Sequence, residues 1–499
     1  MEVFQQLAYG FSVACQPLNL LFCFLGAVAG TLVGVLPGLG PAAAISLLLP
    51  VTFGISPTGA VIILAGVYCG AMYGGSTTSI LVNIPGEAAS VVTCLDGYQM
   101  ARQGRAGPAL GISAFASFIA GTIGVLGLTF VAPPLVKTAI SFGPPEYFAL
   151  MCLGLTILTF LAHGSMLKAL IMAILGLFVG TVGIDIVTGA QRFTFQRPEL
   201  MEGIGLVQVA MGMFGVTEIF SNIEKVMTVT VFETKLRGLF PTLEDWRRSL
   251  GAILRGTGIG FFLGILPGGG AVISSFAAYG IEKRLSRHPE KFGTGIIEAV
   301  ASPEAANNAA AQGAFIPMMT LGIPSNAVIA LLMGALMIHG VTPGPLLMIN
   351  KPDVFWGFIT SMYIGNFMLL VLNLPLIPMW VKVLRVPYPI LFPFILLFCL
   401  IGVYTVNNTV FDIYLMIFFG LVGYLARKLD FESAPFILAV VLGPMMEKAF
   451  RQSVIMSQGD LTTFLTRPLS GAILGVAILL LVLPMFRALK RDKIAALED

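Results

Sequence analysis

The feature that most limits this chain is a procession of apolar runs, many near the length of a membrane-spanning helix, with few charges between them. They lie near 18–36, 42–53, 57–82, 108–132, 146–163, 165–187 and 204–219, and resume near 251–266, 271–281, 313–338, 354–381, 388–404, 410–426, 433–447 and 469–486. A spanning helix needs about 20 mostly apolar residues, and helices satisfy their own backbone polar groups in hydrocarbon. Charged residues make up 11% of 499 and hydrophobic ones 57%, whereas a soluble chain carries about a quarter charged residues. The expected fold is an all-α polytopic membrane protein with about 11–12 transmembrane helices. The lipid bilayer is its first partner. A net charge of +3 gives no reason to expect nucleic acid. Six cysteines occur singly, without a CxxC pair, and read as packing residues. Met1 to Leu18 contains no Lys or Arg, so it lacks the basic start of a cleaved signal peptide and the first apolar run is expected to be retained.

Within these runs the chain repeats itself. Gly26, Gly30, Gly34, Leu36, Pro37, Gly38 and Gly40 recur 230 positions later as Gly256, Gly260, Gly264, Leu266, Pro267, Gly268 and Gly270. Further on, Gly74 precedes the Pro85 of Asn83-Ile-Pro-Gly86 by eleven residues, and Gly313 precedes the Pro324 of Gly322-Ile-Pro-Ser325 by the same interval. The Gly-Pro pairs 107–108 and 344–345 follow in order. Seven identities in register and two further landmarks mark an internal duplication.

Lys and Arg near span ends mark the cytoplasmic side. The second Leu-Pro-Gly element is flanked by Arg247, Arg248 and Arg255 before it and by Lys283, Arg284, Arg287 and Lys291 after it. Both its ends are therefore expected on one side, making 251–281 a re-entrant hairpin. The first copy has no flanking Lys or Arg, so the two repeats are expected to be inverted. The resulting organisation is a first transmembrane repeat over 1–220, a cytoplasmic linker over 221–250, a second repeat over 251–450, and a C-terminal transmembrane helix with a tail over 451–499. Arg487, Lys490, Arg491 and Lys493 place that tail in the cytoplasm.

The chemistry is expected where helices break. Pro removes a backbone donor and Gly permits positive φ. Pro37, Gly38, Leu39 and Gly40 in one half, and Pro267, Gly268, Gly269 and Gly270 in the other, should leave bare amides and carbonyls inside the membrane, where they must line a cavity or be buried in protein. Broken helices at corresponding places in two halves are the sequence mark of a midplane transport site. Beside them stand Ser76, Thr77, Thr78, Asn83, Pro85 and Gly86, and in the second half Asn307, Asn308, Pro324, Ser325 and Asn326. Their hydroxyls and amides, with amides at half-helix N-termini, suit a carboxylate substrate. Asn83, Glu87, Glu304, Asn307 and Asn308 are the candidates for a coupling ion, Na⁺ or H⁺, because ionisable groups inside a membrane are functional candidates by default. Arg255, Asp185, Glu218 and Asp412 also lie in apolar surroundings, the three acids more naturally at interfaces. His163, His288 and His339 are scattered and show no metal spacing. Glycines repeated every fourth residue read as helix packing.

Enzyme motifs are weak. No Gly-Lys-Ser/Thr phosphate loop occurs, and no paired aspartates suggest an intramembrane hydrolase. An intramembrane enzyme acting on a lipid or peptide, and a channel, are the rival readings; no cofactor is expected in the transporter reading.

The run Gly34-Val-Leu-Pro-Gly-Leu-Gly-Pro41, the stretch from Tyr73 to Glu87, Asp96-Gly-Tyr-Gln-Met-Ala-Arg-Gln-Gly104, Pro303-Glu-Ala-Ala-Asn-Asn-Ala309 and Leu321-Gly-Ile-Pro324 together resemble the large subunit, TctA, of the tripartite tricarboxylate transporters. The likeness covers nearly the whole chain. It implies a multi-pass protein of a bacterial inner membrane, working with a small membrane subunit of about four spans and a periplasmic solute-binding protein. It also implies import of citrate or related carboxylates driven by an ion gradient. An elevator-like alternating-access cycle is the expected mechanism.

Overall fold

A computed structural model describes all residues except 1, 37–38, 162–164, 186, 224–237, 385–387 and 483–499. Among the described residues the chain is helical almost throughout. One small antiparallel pair interrupts this, β1 (Gly183–Ile184) and β2 (Gln191–Arg192). Eight described helices are long and apolar enough to cross a bilayer: Pro17–Val35, Pro57–Val82, Ala106–Ala139, Pro144–Leu161, Leu206–Ile223, Pro352–Asn373, Val410–Lys428 and Ser433–Met456. Five further apolar helices run only 10–17 residues. One of these stretches, 392–407, is part of the 20-residue helix Tyr388–Asn407. Among the described residues Pro and Gly divide some of the apolar runs. The run 42–53 tightens into a 3₁₀ turn at Pro50–Gly54, and the run 313–338 is cut at Gly322 into two short helices.

The chain packs as two compact units, one of Met1–Lys137 with Leu206–Leu425, the other of Thr138–Gly205 with Ala426–Asp499. This is a division by packing, distinct in kind from the repeats.

The first unit holds the duplication. Its first copy contains α1 (Pro17–Val35), α2 (Pro41–Leu48), α3 (Pro57–Val82), α4 (Val91–Arg102) and most of α5 (Ala106–Ala139). The second contains α6 (Leu243–Ile265), α7 (Gly270–Leu285), α8 (Glu298–Gly313), α9 (Phe315–Leu321), α10 (Ala327–Ile338) and α11 (Pro352–Asn373). α1 packs on α3, and α6 packs on α8. The repeated glycines explain the closeness of both pairs. A β-carbon on Gly26, Gly30 or Gly34 would lie 2.3, 2.4 and 2.4 Å from the carbonyl oxygens of Ile63, Val67 and Ala71. On Gly256, Gly260 or Gly264 it would lie 2.2, 2.1 and 2.3 Å from those of Ser302, Ala306 and Ala310. Backbone meets backbone at the same register in both copies, as small residues permit in a membrane bundle.

The ends of the paired helices repeat too. α3 stops at Asn83, with φ 60 and ψ 30, and α9 stops at Gly322, with φ 70 and ψ 30. Four residues on, Glu87 and Asn326 each adopt extended backbone and cap the next helical turn, accepting from Ala89 N and Ile329 N. The polypeptide thus makes the same stop, loop and restart twice. A left-handed residue ends each helix because it turns the chain away while its neighbours satisfy the last carbonyls.

The second unit is built around Pro144–Leu161, Met166–Val179 and Ser433–Met456. Gly176 lets the latter two helices touch, a β-carbon there falling 2.3 Å from Phe436 O. Phe148, Phe450 and Phe464 form an aromatic cluster, with the last two rings stacked at 5.4 Å. The β1–β2 turn is held by Asp185, which accepts from Val187 N at 2.8 Å and Thr188 N at 3.1 Å and takes both Arg451 nitrogens at 3.1 and 2.7 Å. Glu447 bridges Arg192 and Arg451, 2.7 Å from each. The two backbone amides first, and then Arg451, push the Asp185 carboxyl down to about 2. These groups line a cavity of about 430 Å³, with Glu202 and Lys448 also on its wall.

Candidate functional site

The candidate site lies in the first unit, where polar side chains of the two repeats exchange partners. α8 carries Glu304, wholly buried. Its Oε2 accepts from Ser76 Oγ of α3 at 2.5 Å, and its Oε1 accepts from Thr93 Oγ1 of α4. Ser113 and Ser117 of α5 stand beside the same carboxylate. Asn308, next on α8, donates to Ser117 Oγ at 2.7 Å and to Glu304 O at 3.1 Å.

Glu87 is served in reverse. It belongs to the first repeat, its Oε2 accepts from Ala89 N at 2.6 Å, and its Oε1 accepts from Asn307 Nδ2 of the second repeat at 3.1 Å. Glu304 and Asn307 lie three residues apart on α8, so they share a helix face. Asn307 is 1% exposed, and its Oδ1 has no hydrogen-bond partner. Each repeat therefore supplies a hydrogen-bond donor to the carboxylate of the other. No salt bridge to either glutamate occurs among the described residues. Charged groups survive burial only when paired or well hydrogen-bonded, and here every donor is neutral.

Each broken-helix loop is tied to neighbouring segments of its own repeat. Gly268 N donates to Ser325 O at 2.8 Å, joining the second Leu-Pro-Gly break to the Ile-Pro-Ser loop of its own repeat. In the first repeat a β-carbon on Gly86 would lie 2.0 Å from Gly34 O and 2.6 Å from Gly75 Cα. Thr78 Oγ1 donates to Val35 O at 2.6 Å, taking up a carbonyl freed at the break. Gly268 and Gly270 have φ of 77 and 50, backbone that side chains strain to adopt.

Ser76, Glu87, Glu304, Asn307 and Asn308 thus come together, four of them candidates for a coupling ion and Ser76 a candidate for substrate. Thr77 and Thr78 are buried beside them on α3; Leu39, Gly86, Gly269, Pro324 and Ser325 are also buried, and Gly40, Pro85, Pro267, Gly268, Gly270 and Asn326 are half-buried. Asn83 is exposed and serves as the left-handed helix stop; no hydrogen bond joins its side chain to the carboxylates. Pro37 and Gly38 lie outside the described residues. Arg255 is spoken for by Glu282, at 2.9 and 2.6 Å. Asp412 accepts from Asn407 and Glu218 from Asn222. His163 lies outside the described residues, and among those described no group of three or more His, Cys, Asp or Glu suits a metal ion.

Sequence reasoning missed Thr93, Ser113 and Ser117, hydroxyls on helices that carry no local mark of their partner. It also missed Asp96. That carboxylate, one turn along α4 from Thr93, accepts from Gly293 N, Gly295 N and Ile296 N at 2.8–3.0 Å and from Tyr279 Oη at 2.9 Å. It clasps the loop that leads into α8, so one face of α4 sets both the position of α8 and a hydroxyl against Glu304. The signal was present in the Asp96–Gly104 motif, but the donors are backbone amides, which a sequence does not spell out.

Residues 20–438 match the family described as Tripartite tricarboxylate transporter TctA family. Two relatives from Agrobacterium vitis carry names without a function. An uncharacterized 52.8 kDa protein in the TAR-I ttuC' 3'region is 51% identical over 502 residues, covering all of both chains. An uncharacterized protein in the TAR-II ttuC' 3'region is 50% identical over 243 residues, which is 48% of this chain and all of that one. No solved structure matches.

Proposed function

The chain belongs to the TctA family of the tripartite tricarboxylate transporters, and from that premise we propose that it is the membrane-spanning permease of a binding-protein-dependent secondary transporter. It imports tricarboxylates or related organic carboxylates across a bacterial inner membrane. It works with a small membrane subunit and a periplasmic solute-binding protein, and its C-terminus faces the cytoplasm. Membership of a transporter family supports a carrier rather than an enzyme.

The observation that carries this reading is the duplicated stop, loop and restart, which sets broken backbone beside buried polar groups drawn from both repeats. Discontinuous helices at corresponding places are where transporters bind substrate and ions. The loop amides and the hydroxyl of Thr77 suit an anionic carboxylate. We take the two repeats to be inverted, from the unequal flanking charge.

Charge makes coupling necessary. One elementary charge moved through 100 mV is worth about 2.3 kcal/mol, so a trianion entering a negative-inside cell opposes about 7 kcal/mol. Accumulation then needs several co-transported cations, and alternating access keeps the two gradients coupled. The test is reconstitution with both partners and labelled carboxylates, with and without an inward sodium or proton gradient. Saturable, gradient-dependent accumulation is expected. Flux that never exceeds equilibrium in either gradient would make the chain a channel and end the proposal.

A further inference from the structure

The duplication places a second junction opposite the Glu87–Asn307 contact. The relation that carries α3 and its loop onto α8, α9 and their loop takes Glu87 to Asn326 and Tyr68 to Asn307, as it takes Asn83 to Gly322. The side chains of Tyr68 and Asn326 do stand beside each other. The same cross-repeat contact is therefore made twice, as a two-fold relation between the repeats requires. One version, Glu87 with Asn307, carries a carboxylate and has Glu304 three residues away on the same helix. The other, Asn326 with Tyr68, is neutral, and the position related to Glu304 is Ala65.

The backbone needs no charge there, because Asn326 caps its helix as Glu87 caps its own turn. Two buried carboxylates with only neutral donors are thus not accounted for by the fold. The second sign is Asn307 Oδ1, buried and without a partner, on the residue that links the two carboxylates. An unpartnered buried acceptor costs about 1–3 kcal/mol. A carbonyl-type oxygen, carboxylates and hydroxyls are the ligands of hard cations. The absence of a third acid among the described residues argues against a multivalent ion.

We propose that Glu87, Asn307 and Glu304 seat one sodium-sized monovalent cation, and that the neutral Asn326–Tyr68 junction does not. The proposal deepens the transporter reading, on which its role in coupling rests, by assigning the cation to one side of a symmetric scaffold. The seat lies between the two repeats, so the ion joins them when it binds and loosens them when it leaves.

The test is a sodium titration of the purified full-length chain in detergent, with choline chloride holding ionic strength constant, read by thermal unfolding. The wild type is expected to show a saturable rise in unfolding temperature with sodium. Asn307→Ala and Glu87→Gln should each weaken the apparent sodium affinity at least tenfold, while Tyr68→Phe should change it less than twofold. Glu87→Gln keeps the side chain's size and carries the test should Asn307→Ala fail to fold. A full sodium response in Glu87→Gln, or a wild type that responds to pH but not to sodium, overturns the seat. The titration contains no carboxylate and no partner subunit. Failed carboxylate uptake with the expected sodium pattern would therefore overturn the transporter reading alone. Sodium-driven uptake with a full response in Glu87→Gln would overturn the seat alone.

Discussion

Asp185 and Glu304 are buried carboxylates of one chain, and they are satisfied by opposite means. Asp185, in the second unit, takes two turn amides and both nitrogens of Arg451, with Arg192 3.8 Å away. Glu304, in the first unit, is met by hydroxyls alone. The first arrangement neutralises its charge permanently and closes a turn. The second leaves a buried carboxyl with no cationic partner among the described residues. Burial marks neither as functional; the partner's charge does. An ion pair belongs to the architecture, whereas a carboxylate among neutral donors has no fixed counter-charge.

That contrast can be broken experimentally. The largest effect is expected at Glu304. Glu304→Gln should lower carboxylate uptake in the reconstituted three-component system by about 100-fold or more, by analogy with other groups whose charge is used directly. Asp185→Asn should leave uptake within about threefold, since its amide and arginine partners order only a local turn, but should lower the unfolding temperature by a few degrees. Equal losses of uptake in the two variants would erase the distinction.

The next effect concerns the backbone shared by the repeats. Gly30→Ala and Gly260→Ala each force a β-carbon against a carbonyl, at 2.4 and 2.1 Å. Overpacking of this kind costs about 1–3 kcal/mol, and here rigid backbone must move. Both variants should yield much less monodisperse protein on size-exclusion chromatography, and to a similar degree. Tolerance of one alone would show that the two copies no longer depend on the same packing.

A smaller effect separates the helix stops. Gly322→Ala meets both a left-handed backbone and Pro343 O at 2.7 Å, a loss of about 1–3 kcal/mol. Asn83→Gly keeps the conformation available and should change the unfolding temperature little. The smallest effect is in pH. A carboxylate lowered to about 2 contributes stability that is fully present above the ordinary value near 4 and is lost as pH falls through about 2. Amide exchange in the 187–190 turn should therefore stay slow at pH 4 and quicken only near pH 2. Loss of protection at pH 4 would show that Asp185 is not held as described.

Much of this was legible in the sequence because the demands are short-ranged. A glycine every fourth residue and a proline after a leucine announce close packing and a break wherever they stand. Glu87, Glu304, Asn307 and Asn308 stood out as polar groups in apolar surroundings. What lies between them did not. Thr93 reaches Glu304 across 211 positions of chain, and a threonine in a helix looks the same with or without such a partner. The pairing of Thr138–Gly205 with Ala426–Asp499 was hidden for the same reason, since it rests on surfaces meeting at long range. Hydropathy registers the apolar run 313–338, but Gly322 decides whether that run is one helix or two.

The glycine seams have a mechanical meaning. Two helices whose main chains touch at three successive turns cannot glide past one another by a small step, because any shift short of a full turn, about 5.4 Å, drives a carbonyl into a neighbouring α-carbon. α1 with α3, and α6 with α8, are therefore stiff planks rather than sliding rods. Whatever movement carries a solute must be taken up at the ends of those planks, in the loops that interrupt them.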